Sequence, residues 1–371
     1  MKQDENTPIV KDKPCSKHPR WKSLLVKIAI PLAVSIGLCW VMSRDIDFHD
    51  MLDIVRHQCD FRYIALMLAL SILPMFFRAM RWGIQLRYNG ITPPLRILCY
   101  SIFGTYAVNL VFPRLGEVWR SGYIAYRQRA PFSEVFGSMV ADRLSDTLAV
   151  GLITLFTLIV ARGPITDFIS TYPAVYRQLA SILSSPWFWG LIVILFGGTW
   201  SLLHFSRNPR ILRVRKFVLG LWEGFAAIFR MEGKLRWLLL TTLIWGIYFL
   251  QLYVAFYAFP FTREMLADNG MTVVLVCYVL TSISMGIPSN GGIGPYQATM
   301  LFGMRVFTPA AVLASAAGSH AFTTQALAFG NLLIASQTAL MALLGLVTFL
   351  LISIDRHRHP RVAGDTPGNG Q

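Results

Sequence analysis

Charge is scarce in this chain, and acidic charge is scarcest. Only 14% of the 371 residues are Asp, Glu, Lys or Arg, with 19 acidic against 34 basic. A soluble globular domain would carry about a quarter. The five cysteines (Cys15, Cys39, Cys59, Cys99 and Cys277) form no C-x-x-C pair, which argues against a disulfide framework, a cysteine metal site and redox chemistry. No G-K-[ST] follows a glycine-rich stretch, so a phosphate-binding P-loop is not expected. Short alternating strands are also missing, and with them the signature of a membrane β-barrel. No metal or cofactor is expected.

What the chain has instead is apolar length. It is 54% hydrophobic, with a mean hydropathy of +0.51, and several runs reach the roughly 20 residues that cross a bilayer. The expected fold is all-α, a polytopic helical bundle in the membrane. Clear candidate spans are 23–42, 61–77, 135–160, 186–206, 236–259 and 328–353, with two broken apolar regions at 97–112 and 271–327. A basic tail precedes the first run and no A-x-A site follows it, so no cleaved signal is expected. The net charge of +15 could suggest nucleic acid, but its placement between apolar runs points to the bilayer.

Lys and Arg orient the chain by the positive-inside rule. Residues 1–22, 78–96, 113–134, 207–236 and the tail from 356 hold 25 of them, against 6 in 43–62, 161–185 and 260–270. Both termini are therefore expected on the cytoplasmic side of the cell's inner membrane. The flanks of 97–112 then lie on one side, so this region must enter and return as a re-entrant hairpin turning at "FPRLGE". By the same parity, 271–327 is a second re-entrant hairpin from the opposite face, broken at "PSNGGIGP". Each part reads span, span, hairpin, span, an inverted-topology repeat of about 23–160 and 186–353 within one membrane domain, 23–355. Residues 207–235 read as a cytoplasmic interfacial helix, with an ordinary helical connection as the alternative. The tail 356–371 reads as disordered.

Ionisable residues beside apolar segments are candidates for function. Arg78 and Arg81 lie one turn apart; Arg114, Glu117 and Arg120 follow at i, i+3 spacing; Asp142 and Asp146 are an i, i+4 pair with Arg143 between them. The second group carries one positive charge and the third one negative, so they can neutralise each other. Arg78 and Arg81 are then left as a surplus that suits a phosphate, which guanidinium binds in bidentate fashion. On this reading Arg143 holds the two aspartates, so its loss strands them, whereas loss of Arg81 spares folding and weakens lipid handling. Simpler readings stay open: snorkelling anchors for Arg78 and Arg81, surface pairs for 114/117/120, and a structural salt bridge for 142/143/146. In the second break, Pro288, Asn290, Gly291, Gly292 and Gly294 permit irregular backbone. The helix starting near Tyr296, with Gln297, offers N–H groups to an anion; a plain turn between two short helices is the alternative. His320 stands alone and reads as a packed residue.

These motifs, in order, resemble the transmembrane domain of the lysylphosphatidylglycerol synthase family. The match is carried by Arg81-Trp82, by Arg114, Gly116, Glu117 and Arg120, by Asp142, Arg143, Leu144 and Asp146, and by the late Pro-Gly break. The family often has Glu where this chain has Gln297, which removes a titratable group. The resemblance implies a stand-alone flippase-like protein that moves an anionic phospholipid or polyprenyl-phosphate lipid between leaflets. Fewer than 20 residues follow the last run, so the aminoacyl-transfer domain of the full synthase, and its enzymatic activity, are not expected. Alternatives are a membrane enzyme acting on lipid phosphate or lipid-linked sugar, or a subunit of an envelope-lipid complex. The expected partners are an anionic lipid and the bilayer, without nucleic acid; oligomeric state is left open.

Overall fold

A computed structural model describes residues 48–112, 115–172, 184–205, 231–287 and 292–358, with isolated positions between them. The expected first span, the basic tail 1–22, most of the interfacial helix at 207–235 and most of the tail from 356 lie outside these residues, and Lys234 already belongs to the next helix.

Among the described residues every regular element is a helix. α1 is Phe48–Gln58, α2 Phe61–Tyr88, α3 Leu95–Val111, α4 Leu115–Gln128 and α5 Phe132–Val160. α6 is Arg162–Thr171, α7 Pro186–Phe205 and α8 Lys234–Ala255. α9 is Pro260–Asn269, α10 Met271–Ser284, α11 Pro295–Arg305, α12 Ala310–Ala314 and α13 Ala316–Arg358.

Among the described residues, four helices (α2, α5, α8 and α13 up to Asp355) are long and apolar enough to cross a membrane, and the bent pair α9–α10 makes up to five. Their outward faces carry exposed Leu148, Leu152, Leu155, Leu343, Leu346 and Leu350. That is the surface a bilayer covers and water would not tolerate in so large a patch. Two boundaries differ from hydropathy. α2 runs on past the expected end at 77 to Tyr88, because its last three turns bury Ala79, Arg81, Trp82 and Leu86 against protein. α13 begins at Ala316, before the expected 328, and its first turns leave His320 exposed, not packed.

Both broken regions fold as helical hairpins. In the first, α3 and α4 pack together, and the turn is held where the Gly116 N–H donates to Asn109 Oδ1 at 2.8 Å. A Cβ at Gly116 would stand 2.4 Å from the Thr105 carbonyl oxygen, so only glycine allows the arms to approach this closely. In the second, α10 packs on α11. α9 meets α10 at 111° across Gly270, whose φ of +61° suits glycine. The turn residues Pro113, Arg114, Pro288, Asn290 and Gly291 lie outside the described residues.

The packing is reciprocal. α2 lies along α8. α13 packs on α3 of the first hairpin, and α5 packs on α10 of the second. Two apolar cores follow. One joins α8–α11 with α13 and the start of α2, including Met67, Phe256, Met300 and Phe329. The other joins the end of α2 with α3, α4 and α5, including Trp82, Ile102, Ile124 and Met139.

Candidate functional site

The second half of α2 carries arginines on a face that is otherwise buried. Arg78 and Arg81 are one turn apart, so both reach the polar stripe of α5, where the i, i+4 spacing puts Asp142 and Asp146 on one face. Arg81 is completely buried. Its Nη2 donates to Asp142 Oδ1 at 2.8 Å and Asp146 Oδ1 at 2.7 Å, and Nη1 reaches Thr241 Oγ1 of α8 at 3.4 Å. Arg78 Nη1 lies 3.2 Å from Asp146 Oδ2. From α4, Arg120, 1% exposed, brings Nη2 to 3.4 Å from Asp142 Oδ2.

Aromatic rings close the cluster. The guanidinium of Arg120 lies 4.6 Å from the ring centre of Trp82, while the Trp82 indole N–H donates to Ser138 Oγ at 2.8 Å. Arg81 faces the ring of Trp237, and Arg78 that of Tyr248 at 5.6 Å. A guanidinium over a ring recovers part of its lost hydration by cation–π attraction.

The second and third groups of charges do meet, but through other pairs than the spacing suggested. Arg143 does not hold the aspartates. It turns outward, its side chain 41% exposed, and pairs with Glu117 at 2.6 Å. Nor are Arg78 and Arg81 an unmatched surplus or snorkelling anchors: both are buried and paired. The reason is helical phase. Asp142 and Asp146 face α2, and Arg143, one position on from Asp142, points about 100° away. Three buried arginines against two buried carboxylates leave one positive charge uncompensated. The Nε–H groups of Arg78, Arg81 and Arg120 have no acceptor among the described residues. Arg81, Arg120 and Asp142 are sealed from solvent, while Arg78 and Asp146 keep a side-chain exposure of 10% each. Arg114 lies outside the described residues.

The second break does not form a matching anion seat. Gln297 is buried and spends its amide on the protein: Oε1 accepts from the Gly294 N–H at 2.7 Å and Nε2 donates to Asn331 Oδ1 at 2.9 Å. The start of α11 is thereby capped from within, and Gly292 and Gly294, at φ +85° and +94°, shape the turn. Where the first hairpin meets its neighbouring long helix through charges, the second does so through neutral amides.

Sequence reasoning missed Thr241, Trp237 and Tyr248, which lie on α8. Nothing local marks them; only the α2–α8 contact brings them to the arginines. It also missed Asp355, buried near the end of α13 between Arg96 at 3.0 Å and Arg127. Among the described residues, no three His, Cys, Asp or Glu side chains gather to hold a metal ion.

No curated protein gives a significant match to the chain. A family model described as the lysylphosphatidylglycerol synthase TM region matches residues 28–330, a range that takes in both hairpins and every member of the buried charge cluster. The chain is a multi-pass helical membrane protein that belongs to the lysylphosphatidylglycerol synthase transmembrane-region family.

Proposed function

We propose that this protein moves an anionic lipid, a phospholipid or a polyprenyl-phosphate carrier, between the leaflets of the cytoplasmic membrane, with both termini cytoplasmic. The observation that carries the reading is the charge count of the buried cluster. Three arginines share two carboxylates, and three Nε–H donors remain unspent. An uncompensated charge in a low-dielectric interior is costly, and a lipid phosphate supplies both the missing charge and the missing acceptors. Arg78, at the edge of the cluster and beside Tyr248, is the first contact; Asp146 gives it up as the phosphate arrives. Acyl chains stay outside, along the apolar faces of α5 and α13. The packing of each hairpin against the long helix of the other part supports an inverted-topology repeat in which both hairpins are re-entrant.

The test is reconstitution in liposomes containing headgroup-labelled lipids. Translocation well above the empty-vesicle rate, lowered by Arg78→Gln for anionic lipids most, is expected. Background rates for phosphatidylglycerol, phosphatidylethanolamine and a polyprenyl phosphate alike would overturn the proposal.

A further inference from the structure

The reciprocal packing creates two junctions where the end of a long helix meets the arms of a hairpin, and we treat each as the mouth of a path between them. The first is shut. Asp355 of α13, 6% exposed, is gripped by Arg96 in the first turn of α3 and by Arg127 in the last turn of α4. Beside it, Trp119 meets Phe349 edge-on, ring centres 5.4 Å apart.

The second mouth has a comparable carboxylate, aromatic pair and one arginine, without the ion pair. α6 follows α5 after a single residue, Ala161, and meets the second hairpin where Phe168 lies edge-on to Phe302 of α11 at 5.9 Å. Asp167 neighbours Phe168. Arg305 is the basic residue in the last turn of α11, as Arg127 is in the last turn of α4. Here the charges do not meet. Neither the Asp167 carboxylate nor the Arg305 guanidinium has an ion-pair or hydrogen-bond partner among the described residues. Asp167 instead lines a cleft of about 240 Å³ with Phe168, Tyr172, Asn269, Phe307 and Thr308.

We propose that Asp167 and Arg305 are a second latch, which closes over this cleft when Asp355 releases Arg127, so that the two mouths open in alternation. This rests on the translocation reading, which needs access from one side at a time. The link between the mouths is α13. It holds Asp355 near one end, and nearer its other end it packs on α11, the helix that ends in Arg305. A helix that shifts as a rigid body changes both contacts together. Under the charge-derived topology the Asp355 latch is cytoplasmic and the Asp167 cleft faces outward, so the described conformation is the outward-open one.

The experiment locks each latch in proteoliposomes. In a background without native cysteines, Arg127→Cys with Asp355→Cys, or Asp167→Cys with Arg305→Cys, is cross-linked by a short bis-maleimide. Accessibility of the cleft is then read from the water quenching of a fluorophore placed beforehand at Thr308. Locking the first latch is expected to leave the cleft hydrated, and locking the second to dry it, with a change in labelling or quenching of about 5-fold or more, the scale of a coupled equilibrium. Equal accessibility in both locks, or both cross-links forming together in one molecule, overturns the proposal. If the double-cysteine proteins fold poorly, Asp355→Asn, which frees the first latch, should dry the cleft, and adding Arg305→Glu, which repels Asp167, should return it to the hydrated state; a cleft equally hydrated in both variants again overturns the proposal. None of these readouts needs a transported lipid. Alternation without translocation would therefore sink the transport reading alone, and translocation without alternation would sink the latch.

Discussion

At the scale of single residues, the cluster ranks its arginines by burial and not by distance along the chain. Arg81 bridges both aspartates through one nitrogen and has no exposure. Arg81→Ala leaves two buried carboxylates without their shared partner, and breaking a buried pair costs about 3–5 kcal/mol. Arg143→Ala removes a half-exposed pair with Glu117, worth about 0–1 kcal/mol. The apparent Tm in detergent should drop far more for Arg81→Ala, with partial recovery when Asp146→Asn is added; a larger drop for Arg143→Ala would contradict the geometry. The identity of every charged member of this cluster was legible in the sequence, since Arg and Asp in apolar runs announce themselves, while its uncharged members Thr241, Trp237 and Tyr248 were not. The pairing was not, because it depends on helical phase across α2, α4 and α5, and spacing along one helix carries no information about phase between helices. A second residue-scale outcome concerns Cys59, which lies before α2, outside the spans. Burial, helped by the Asp60 carboxylate, pushes its thiol up to about 11. Since the thiolate is the reactive form, alkylation at pH 8 should be slow and should quicken steadily up to pH 11, whereas a thiol with an ordinary pKa would level off near pH 9.

At the scale of elements, the doubling back of both broken apolar regions into packed helix pairs was legible in the sequence; re-entry of each from one side of the membrane is the further expectation of charge parity. What closes them was less visible. α13 lies so close on α3 that a Cβ at Gly345 would stand 2.2 Å from the Cβ of Ala107. Such close approach by small residues is how membrane helices gain packing energy. Gly345→Ala should therefore push α13 off the first hairpin at a cost of about 1–3 kcal/mol, as overpacking does. Adding Ala107→Gly, which returns the space, should restore much of the lost thermal stability. If the double variant is no better than the single one, the two helices do not meet at this point. The start of α13 shows where hydropathy fails: small and polar residues at 316–327 depress the signal, yet the helix runs through them because Phe322 and Ala326 pack into the core.

At the scale of the whole molecule, the fold is two hairpins exchanged between two sets of long helices, and this arrangement makes a demand that composition alone does not. If the hairpins are re-entrant, the two flanks of each must face the same side of the membrane. Asn89 and Ser133 are exposed on either side of the first hairpin, just after α2 and at the start of α5; Thr166 and Asp268 are exposed beyond α5 and before the second. Single cysteines at these four positions, labelled in oriented vesicles with a membrane-impermeant maleimide, test the arrangement directly. Asn89→Cys and Ser133→Cys should react from the cytoplasmic side, and Thr166→Cys and Asp268→Cys from the other. Reaction of positions 89 and 133 from opposite sides would make the segment between them a single crossing and remove the first re-entrant hairpin. The inverted-topology repeat would fall with it, and the translocation reading would rest on the buried charge cluster alone.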